Sequence, residues 1–125
     1  MAAPHLLRGR KGERIACRFL MRQGFDILAR RYCNGTGEVD IIAFEKETLV
    51  FLEVKTRSSR QFGDPWEFVD RNKQYRIRRT AERFIADQDM NRYAYRFDII
   101  SVIMSSGTKP EVRLLRNAFK ISLTV

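Results

Sequence analysis

The chain has 125 residues, of which 24 are lysine or arginine and 15 are aspartate or glutamate, giving a formal net charge of +9. This length predicts a single domain over residues 1–125 with one buried core. The positive charge favours a polyanionic partner, most simply nucleic acid. No run approaches the ~18 apolar residues of a membrane span, and residues 1–10 lack the apolar core of a secretory signal. We therefore expect a soluble cytoplasmic protein with no membrane partner.

The predicted elements begin with a helix and then alternate between strands and a second helix. Apolar residues recur at helical spacing before Gly24, a typical helix stop, and Asp70 is a typical N-cap. The predicted order is a helix at 7–23, strands at 25–32, 37–44 and 49–56, a loop at 58–65, a helix at 70–88, and strands at 95–104 and 112–115. This order predicts an α/β fold, with a mixed, mostly antiparallel central sheet flanked by helices.

Three ionisable residues interrupt two neighbouring apolar runs. Asp40 lies within GEVDIIAF at 37–44, and Glu53 and Lys55 lie within LVFLEVKT at 49–56. Side chains two residues apart share one face of a strand. The polar interval between the runs has hairpin length, which favours antiparallel pairing. The sequence therefore predicts that both acids and the lysine meet on one face of a hairpin.

These residue types suit phosphodiester hydrolysis. That reaction needs a hard divalent cation, and Mg²⁺ takes few carboxylates while retaining waters and substrate oxygens. We expect Asp40 and Glu53 to bind Mg²⁺, with Mn²⁺ as an alternative, and Lys55 to orient water or stabilise charge in the transition state. The alternative is a structural ion pair on a partly exposed sheet face. The cost of burying three ionisable groups without a function favours the metal site.

The spacing Asp-x(12)-Glu-x-Lys, running from Asp40 to Lys55, resembles the motif of the PD-(D/E)xK nuclease superfamily. Val39 stands where that motif has a loosely held proline. A wider frame over roughly residues 9–104 resembles the bacterial YraN family, also called UPF0102. The matching segments are the GxxGE-like stretch at 9–13, GEVDIIA at 37–43, FLEVKTR at 51–57, the lysine at 73 and RFD at 96–98.

The resemblance implies a restriction-endonuclease-like fold, similar to archaeal Holliday junction resolvases. It also implies branched or junction DNA as a substrate class, for which cutting two strands would favour a homodimer. Glu13, on the first helix, matches a third carboxylate that supports the metal site. Lys73 matches a basic residue that contacts phosphate from the helix after the motif.

Basic residues near the site are candidates for nucleic-acid binding. They are Lys73 and Arg76 on the second predicted helix, and Arg57 and Arg60 just after the strand that carries Lys55. Each is individually explained as well by a solvated positive charge. Their collective charge is the firmer basis for the prediction, because neutralising phosphates is a summed electrostatic effect.

Other chemistries find less support. Cys17 and Cys33 have no CxxC spacing and no histidine partner nearby, so we expect reduced, buried thiols rather than a zinc site. An Arg–Asp pair that braces a strand accounts for Asp98 at least as well as catalysis, and Glu38 is equally well a polar residue at a strand entry. No phosphate-binding glycine loop or Ser–His–Asp set occurs.

The function predicted from these observations is a metal-dependent nuclease that hydrolyses phosphodiesters in DNA. One alternative is a non-catalytic nucleic-acid-binding protein that keeps the nuclease fold. A second alternative is a structural interaction protein for RNA or ribosomes, in which the carboxylates only balance the arginines.

Overall fold

The computed structural model describes residues 4–58 and 70–119, with side chains described from residue 9 onward. Every predicted helix and strand is present, and no boundary differs from the prediction by more than three residues. The elements are α1 (Pro4–Arg22), β1 (Phe25–Cys33), β2 (Glu38–Glu45), β3 (Thr48–Arg57), α2 (Arg71–Asp87), β4 (Tyr95–Ile103) and β5 (Glu111–Leu115).

The strands form one five-stranded sheet in the order β1-β2-β3-β4-β5. Neighbouring strands are antiparallel except β3 and β4, which run parallel. Parallel neighbours need a long crossover, and α2 lies in the segment that joins β3 to β4. The predicted mixed, mostly antiparallel α/β fold is therefore confirmed.

Each face of the sheet carries one helix. On one face, α2 buries its predicted apolar stripe against β2, β3 and β4, with Phe84 in edge-to-face contact with Phe51. On the other face, α1 buries Ala16 and Leu20 against the remaining apolar side chains of the same strands. Covering both faces makes the central strands apolar throughout, which is why the charged residues in them are conspicuous.

Local signals fix the ends of these elements. Asp70 caps α2, because its Oδ1 accepts the backbone N–H of Lys73 at 2.8 Å. Gly24 follows α1 with a φ of 92°, a conformation that glycine adopts without strain. Two residues join β2 to β3, and the first of them, Lys46, has a φ of 55°.

Several smaller predictions have mixed outcomes. Cys17 is buried, and burial raises the pKa of its thiol, but the prediction that Cys33 is buried is wrong, because it lies exposed at the end of an edge strand. Asp98 pairs with Arg96, as predicted. Arg60 and most of the predicted loop at 58–65 lie outside the described residues. Among residues 4–58 and 70–119, no helix is long and apolar enough to cross a membrane.

Candidate active site

Asp40 lies where β2 separates from β3. The ladder between these strands ends at the Ile41–Leu52 pair. At the next residue of β2 the contact with β3 is made by a side chain. Oδ2 of Asp40 accepts a hydrogen bond from the backbone N–H of Val54 at 2.8 Å. This bond holds the carboxylate of Asp40 against β3 and leaves space beside it where the strands diverge.

Glu53 and Lys55 follow on β3, on the face that Phe51 shares. Glu53 is only 7% exposed, although it is an acid. The Nζ of Lys55 lies 3.8 Å from Oε1 of Glu53. The hairpin therefore brings together the three side chains that the sequence singled out.

A second lysine reaches the same carboxylate from α2. The Nζ of Lys73 contacts Oε1 of Glu53 directly. The capped first turn of α2 places Lys73 over the end of β3, since Asp70 holds the backbone N–H of Lys73 itself. Glu53 is thus flanked by two ammonium groups.

Glu13 approaches from α1, on the other side of the sheet. Its Oε2 accepts a hydrogen bond from Nε of Arg31 at 2.7 Å. The helix lies very close to β3 at this point, because a Cβ added to Gly12 would be 2.1 Å from Oγ1 of Thr56. Glycine at this position lets α1 bring Glu13 to the site.

The side chains enclose two adjoining open depressions that share Asp40, Glu53 and Lys73. The first has a volume of about 430 Å³ and is lined by Gly9, Glu13, Asp40, Glu53, Val54, Lys55, Thr56 and Lys73. The second has a volume of about 380 Å³ and is lined by Gly37, Glu38, Asp40, Glu53, Lys73, Arg76 and Ile77. Both helices and both strands of the hairpin therefore meet at one place.

Burial and neighbouring charges shift the pKa values of three side chains in the site. Burial, followed by repulsion from Glu53, raises the pKa of Asp40 to about 7, although the N–H of Val54 opposes this shift. Burial lowers the pKa of Lys55, and the neighbouring Lys73 lowers it further. For Lys73, burial is the largest single influence and lowers its pKa, but its interactions with Glu53, Lys55 and Asp40 together raise the pKa above its ordinary value. Two carboxylates and two ammonium groups thus share a small, partly buried volume.

The carboxylate pair is the part of the site that suits a metal ion. Among residues 4–58 and 70–119, no three His, Cys, Asp or Glu side chains are grouped closely enough to form a metal site by themselves. Asp40 and Glu53 offer two oxygen ligands in contact with each other, and Mg²⁺ typically fills its remaining positions with water and substrate oxygens. Glu13 lines the same depression but is already bound to Arg31.

Only some of the residues predicted to bind nucleic acid lie at the site. Lys73 and Arg76 line the depressions, and Arg76 is exposed. Arg57 is half-buried at the end of β3 and lines neither depression. Arg60 lies outside the described residues, so its placement stays a prediction.

Two features were not found by sequence reasoning. One is the contact between Lys73 and Glu53, which depends on how α2 docks and has no signal in the local sequence. The other is the close approach at Gly37, where an added Cβ would lie 2.8 Å from Oγ1 of Thr80 on α2. The predicted strand at 37–44 includes Gly37, but strand periodicity does not indicate that a helix packs against it.

Comparison with known proteins places the chain in a family. The sequence model of the family described as "Uncharacterised protein family UPF0102" matches residues 12–102. The chain belongs to the UPF0102 family. The match contains Glu13, Asp40, Glu53, Lys55 and Lys73.

Individual UPF0102 proteins are similar over most of their length. One from Dictyoglomus thermophilum is 46% identical over 112 residues, covering 89% of this chain and 95% of the relative. One from Caldicellulosiruptor saccharolyticus is 43% identical with the same coverage of both chains. One from Nocardia farcinica is 42% identical and covers 89% of this chain and 87% of the relative. Their names state the UPF0102 family alone.

Proposed function

We propose that the protein is a metal-dependent nuclease that hydrolyses phosphodiesters in DNA. The observation that carries the proposal is the convergence of Asp40, Glu53 and Lys55 on one open depression. A buried acid pair flanked by lysines is costly for a fold to maintain, and such costs are concentrated at functional sites. The resemblance noted for the motif suggests branched or junction DNA as the substrate class.

Asp40 and Glu53 would hold the cation, Mg²⁺ or Mn²⁺, with Glu13 as a supporting acid. When bound there, a divalent cation supplies the positive charge that activates water and neutralises a phosphate oxygen. The backbone N–H of Val54 fixes Oδ2 of Asp40, and Oδ1 would be the ligand. Glu53 is oriented by its contacts with Lys55 and Lys73.

Lys55 is the residue that acts on the scissile phosphate. Its ammonium group is half-buried in the depression and lies 3.8 Å from Glu53, so it is held beside the ligand oxygens. A donor fixed at this position stabilises negative charge as it develops on the phosphate, and burial strengthens the interaction. Arg76, exposed at the rim, adds positive charge along the path of the backbone.

One observation favours a second candidate function. The ammonium groups of Lys55 and Lys73 already balance the negative charge of Glu53. A protein that binds DNA through its basic surface and no longer cuts it would keep the fold and need only this internal pairing. The two functions make different predictions for cleavage and the same prediction for binding.

The deciding experiment is cleavage of labelled linear, flapped and four-way DNAs with Mg²⁺ or Mn²⁺. The nuclease proposal expects cutting that requires metal and is lost in Glu53→Gln. Glu47→Gln is the matched control, because Glu47 is an exposed acid in the turn of the same hairpin. Binding without cutting on every DNA, unchanged in Glu53→Gln, would favour the non-catalytic module. Preference for the four-way DNA would support a homodimer, which sedimentation of the complex tests.

A further inference from the structure

The outer face of α1 carries a continuous row of arginines. Arg10, Arg14, Arg18 and Arg22 are spaced four residues apart, which places them on one surface of the helix, and all four are exposed. At 1.5 Å per residue the row is about 18 Å long. We call these four residues the arginine ridge.

Positive charge is concentrated on this helix. Residues 4–22 include six basic residues and one acid, so α1 carries a net charge of +5 against +9 for the whole chain. Within residues 4–58 and 70–119, the side chains of the four ridge arginines make no hydrogen bond or ion pair with one another or with other described side chains. Many arginines outside α1 are paired, as in Arg78–Glu82, Arg83–Asp87 and Arg116–Glu45.

An unpaired row of this kind is unfavourable for the free protein. Like charges four residues apart repel each other and destabilise a helix. Only Arg22, in the last turn, is favoured by the helix dipole. A partner with regularly spaced negative charge would remove this repulsion, which identifies the occupant as a polyanion.

We propose that the arginine ridge is a docking surface for the phosphate backbone of double-stranded DNA, leading into the candidate active site. The ridge begins beside the site, because Gly9 and Glu13 of the same helix line the depression that contains Asp40 and Glu53. The inference that bound DNA leads into the active site rests on the proposed function. The inference that DNA binds to the arginine ridge does not.

The chemistry of α1 selects duplex DNA over two other polyanions. A helix that binds anionic membranes inserts an apolar face, but the apolar face of α1, including Ala16 and Leu20, is buried on the sheet. Surfaces for single strands present aromatic side chains on which bases stack. From residue 9 onward the only aromatic side chain of α1 is Phe19, which is packed against the core. A rigid row of charges suits the fixed phosphate spacing of a duplex.

The test is binding of a fluorescent DNA duplex by anisotropy, with EDTA present so that no cleavage occurs. The triple variant Arg14→Gln, Arg18→Gln, Arg22→Gln removes three charges from the ridge. The matched control is Lys46→Gln, Arg92→Gln, Arg113→Gln, which removes three exposed charges outside α1. Thermal unfolding of both variants confirms that they are folded.

The logarithm of the DNA-binding constant falls linearly with the logarithm of the salt concentration. Each lost phosphate contact makes this negative slope shallower by about 0.9. We expect the slope of the ridge variant to be shallower than that of wild type by about 2 to 3, and its binding at 0.1 M salt to be at least about 30-fold weaker. The slope of the control variant should change by less than about 1. Equal losses in both variants, or none in the ridge variant, would overturn the proposal.

Competition identifies the occupant and separates this proposal from the nuclease proposal. Ridge-dependent binding of single-stranded DNA, duplex RNA or anionic phosphatidylserine vesicles that exceeds binding of duplex DNA would contradict the assignment to duplex DNA. Ridge-dependent binding with no cleavage under any condition would support the docking surface and contradict the nuclease proposal.

Discussion

The ammonium group of Lys73 on α2 lies against the carboxylate of Glu53 on β3. This contact joins the second helix to the strand that carries the candidate catalytic residues. It also places a positive charge beside an oxygen that a divalent cation would use. Under the proposed function, Lys73 would therefore compete with a divalent cation for this oxygen of Glu53.

Replacing Lys73 by Gln should strengthen metal binding. Removal of one neighbouring positive charge leaves Glu53 more available, and a Coulomb interaction at this range is large enough for an effect on the order of tenfold in the Kd for Mn²⁺. Isothermal titration without DNA measures it. Arg71→Gln, an exposed residue in the same turn of α2, is the control. Equal metal affinity in wild type and Lys73→Gln would contradict the competition.

Asp40→Asn should change how stability depends on pH. Burial and the charge of Glu53 raise the pKa of Asp40 from 3.8 to about 7. The folded protein thus holds this proton more tightly than the unfolded chain, and the contribution of Asp40 to the free energy of unfolding falls as pH rises from 3.8 to about 7. Asn can still accept the N–H of Val54 but cannot ionise. The variant should gain on the order of 1–3 kcal/mol over wild type at pH 8.

Urea unfolding of both proteins between pH 4 and pH 8 measures this difference. The gain in the free energy of unfolding from Asp40→Asn should grow as the pH rises to about 7 and level off above that pH. A difference that stays constant with pH would show that Asp40 does not titrate in this range.

Asp98 should matter for stability and not for DNA binding. It is fully buried and accepts hydrogen bonds from Nε of Arg96 and from the backbone N–H of Asn117. Asp98→Ala leaves these donors without their partner, which typically costs about 3–5 kcal/mol. Urea unfolding measures the loss, and duplex affinity of the folded fraction should be unchanged. Glu111→Ala, in an exposed pair with Arg113, should cost at most about 1 kcal/mol.

Two glycines of α1 should respond oppositely to alanine. An added Cβ at Gly12 meets Oγ1, Cγ2 and Cβ of Thr56, so rotation of one side chain does not relieve the overlap. We expect Gly12→Ala to destabilise the fold by roughly 1–3 kcal/mol and to displace Glu13. At Gly9 nothing lies within 4 Å, so alanine should stabilise the helix by about 0.5–1 kcal/mol. Loss of stability in both variants would refute the close-packing explanation.

The fold was largely predictable from the sequence because its signals are local. The N-cap at Asp70, the turn between β2 and β3 and the helical spacing of apolar residues each act over a few residues. The face shared by Glu53 and Lys55 follows from strand periodicity alone. Cys33 was misplaced, because an edge strand leaves exposed positions that composition does not indicate.

The candidate site was predictable only where one hairpin supplies it. Asp40, Glu53 and Lys55 lie on adjacent strands, so register brings them together. The contacts of Lys73 with Glu53 and of Glu13 with Arg31 join residues on elements far apart in the chain. Those contacts depend on how each helix docks on the sheet, which the pattern of any one segment does not specify.

The most direct test of the central claim is the rate of metal-dependent DNA cleavage in single turnovers at saturating protein, comparing wild type with Lys55→Met. A fixed donor of this kind typically contributes about 100-fold or more, so we expect a loss of that size with duplex affinity in EDTA unchanged within about twofold. Lys46→Met, at the exposed end of the same hairpin, should cut like wild type. Equal rates in Lys55→Met and wild type, or no cleavage by either, would contradict a phosphodiesterase centre at Asp40, Glu53 and Lys55.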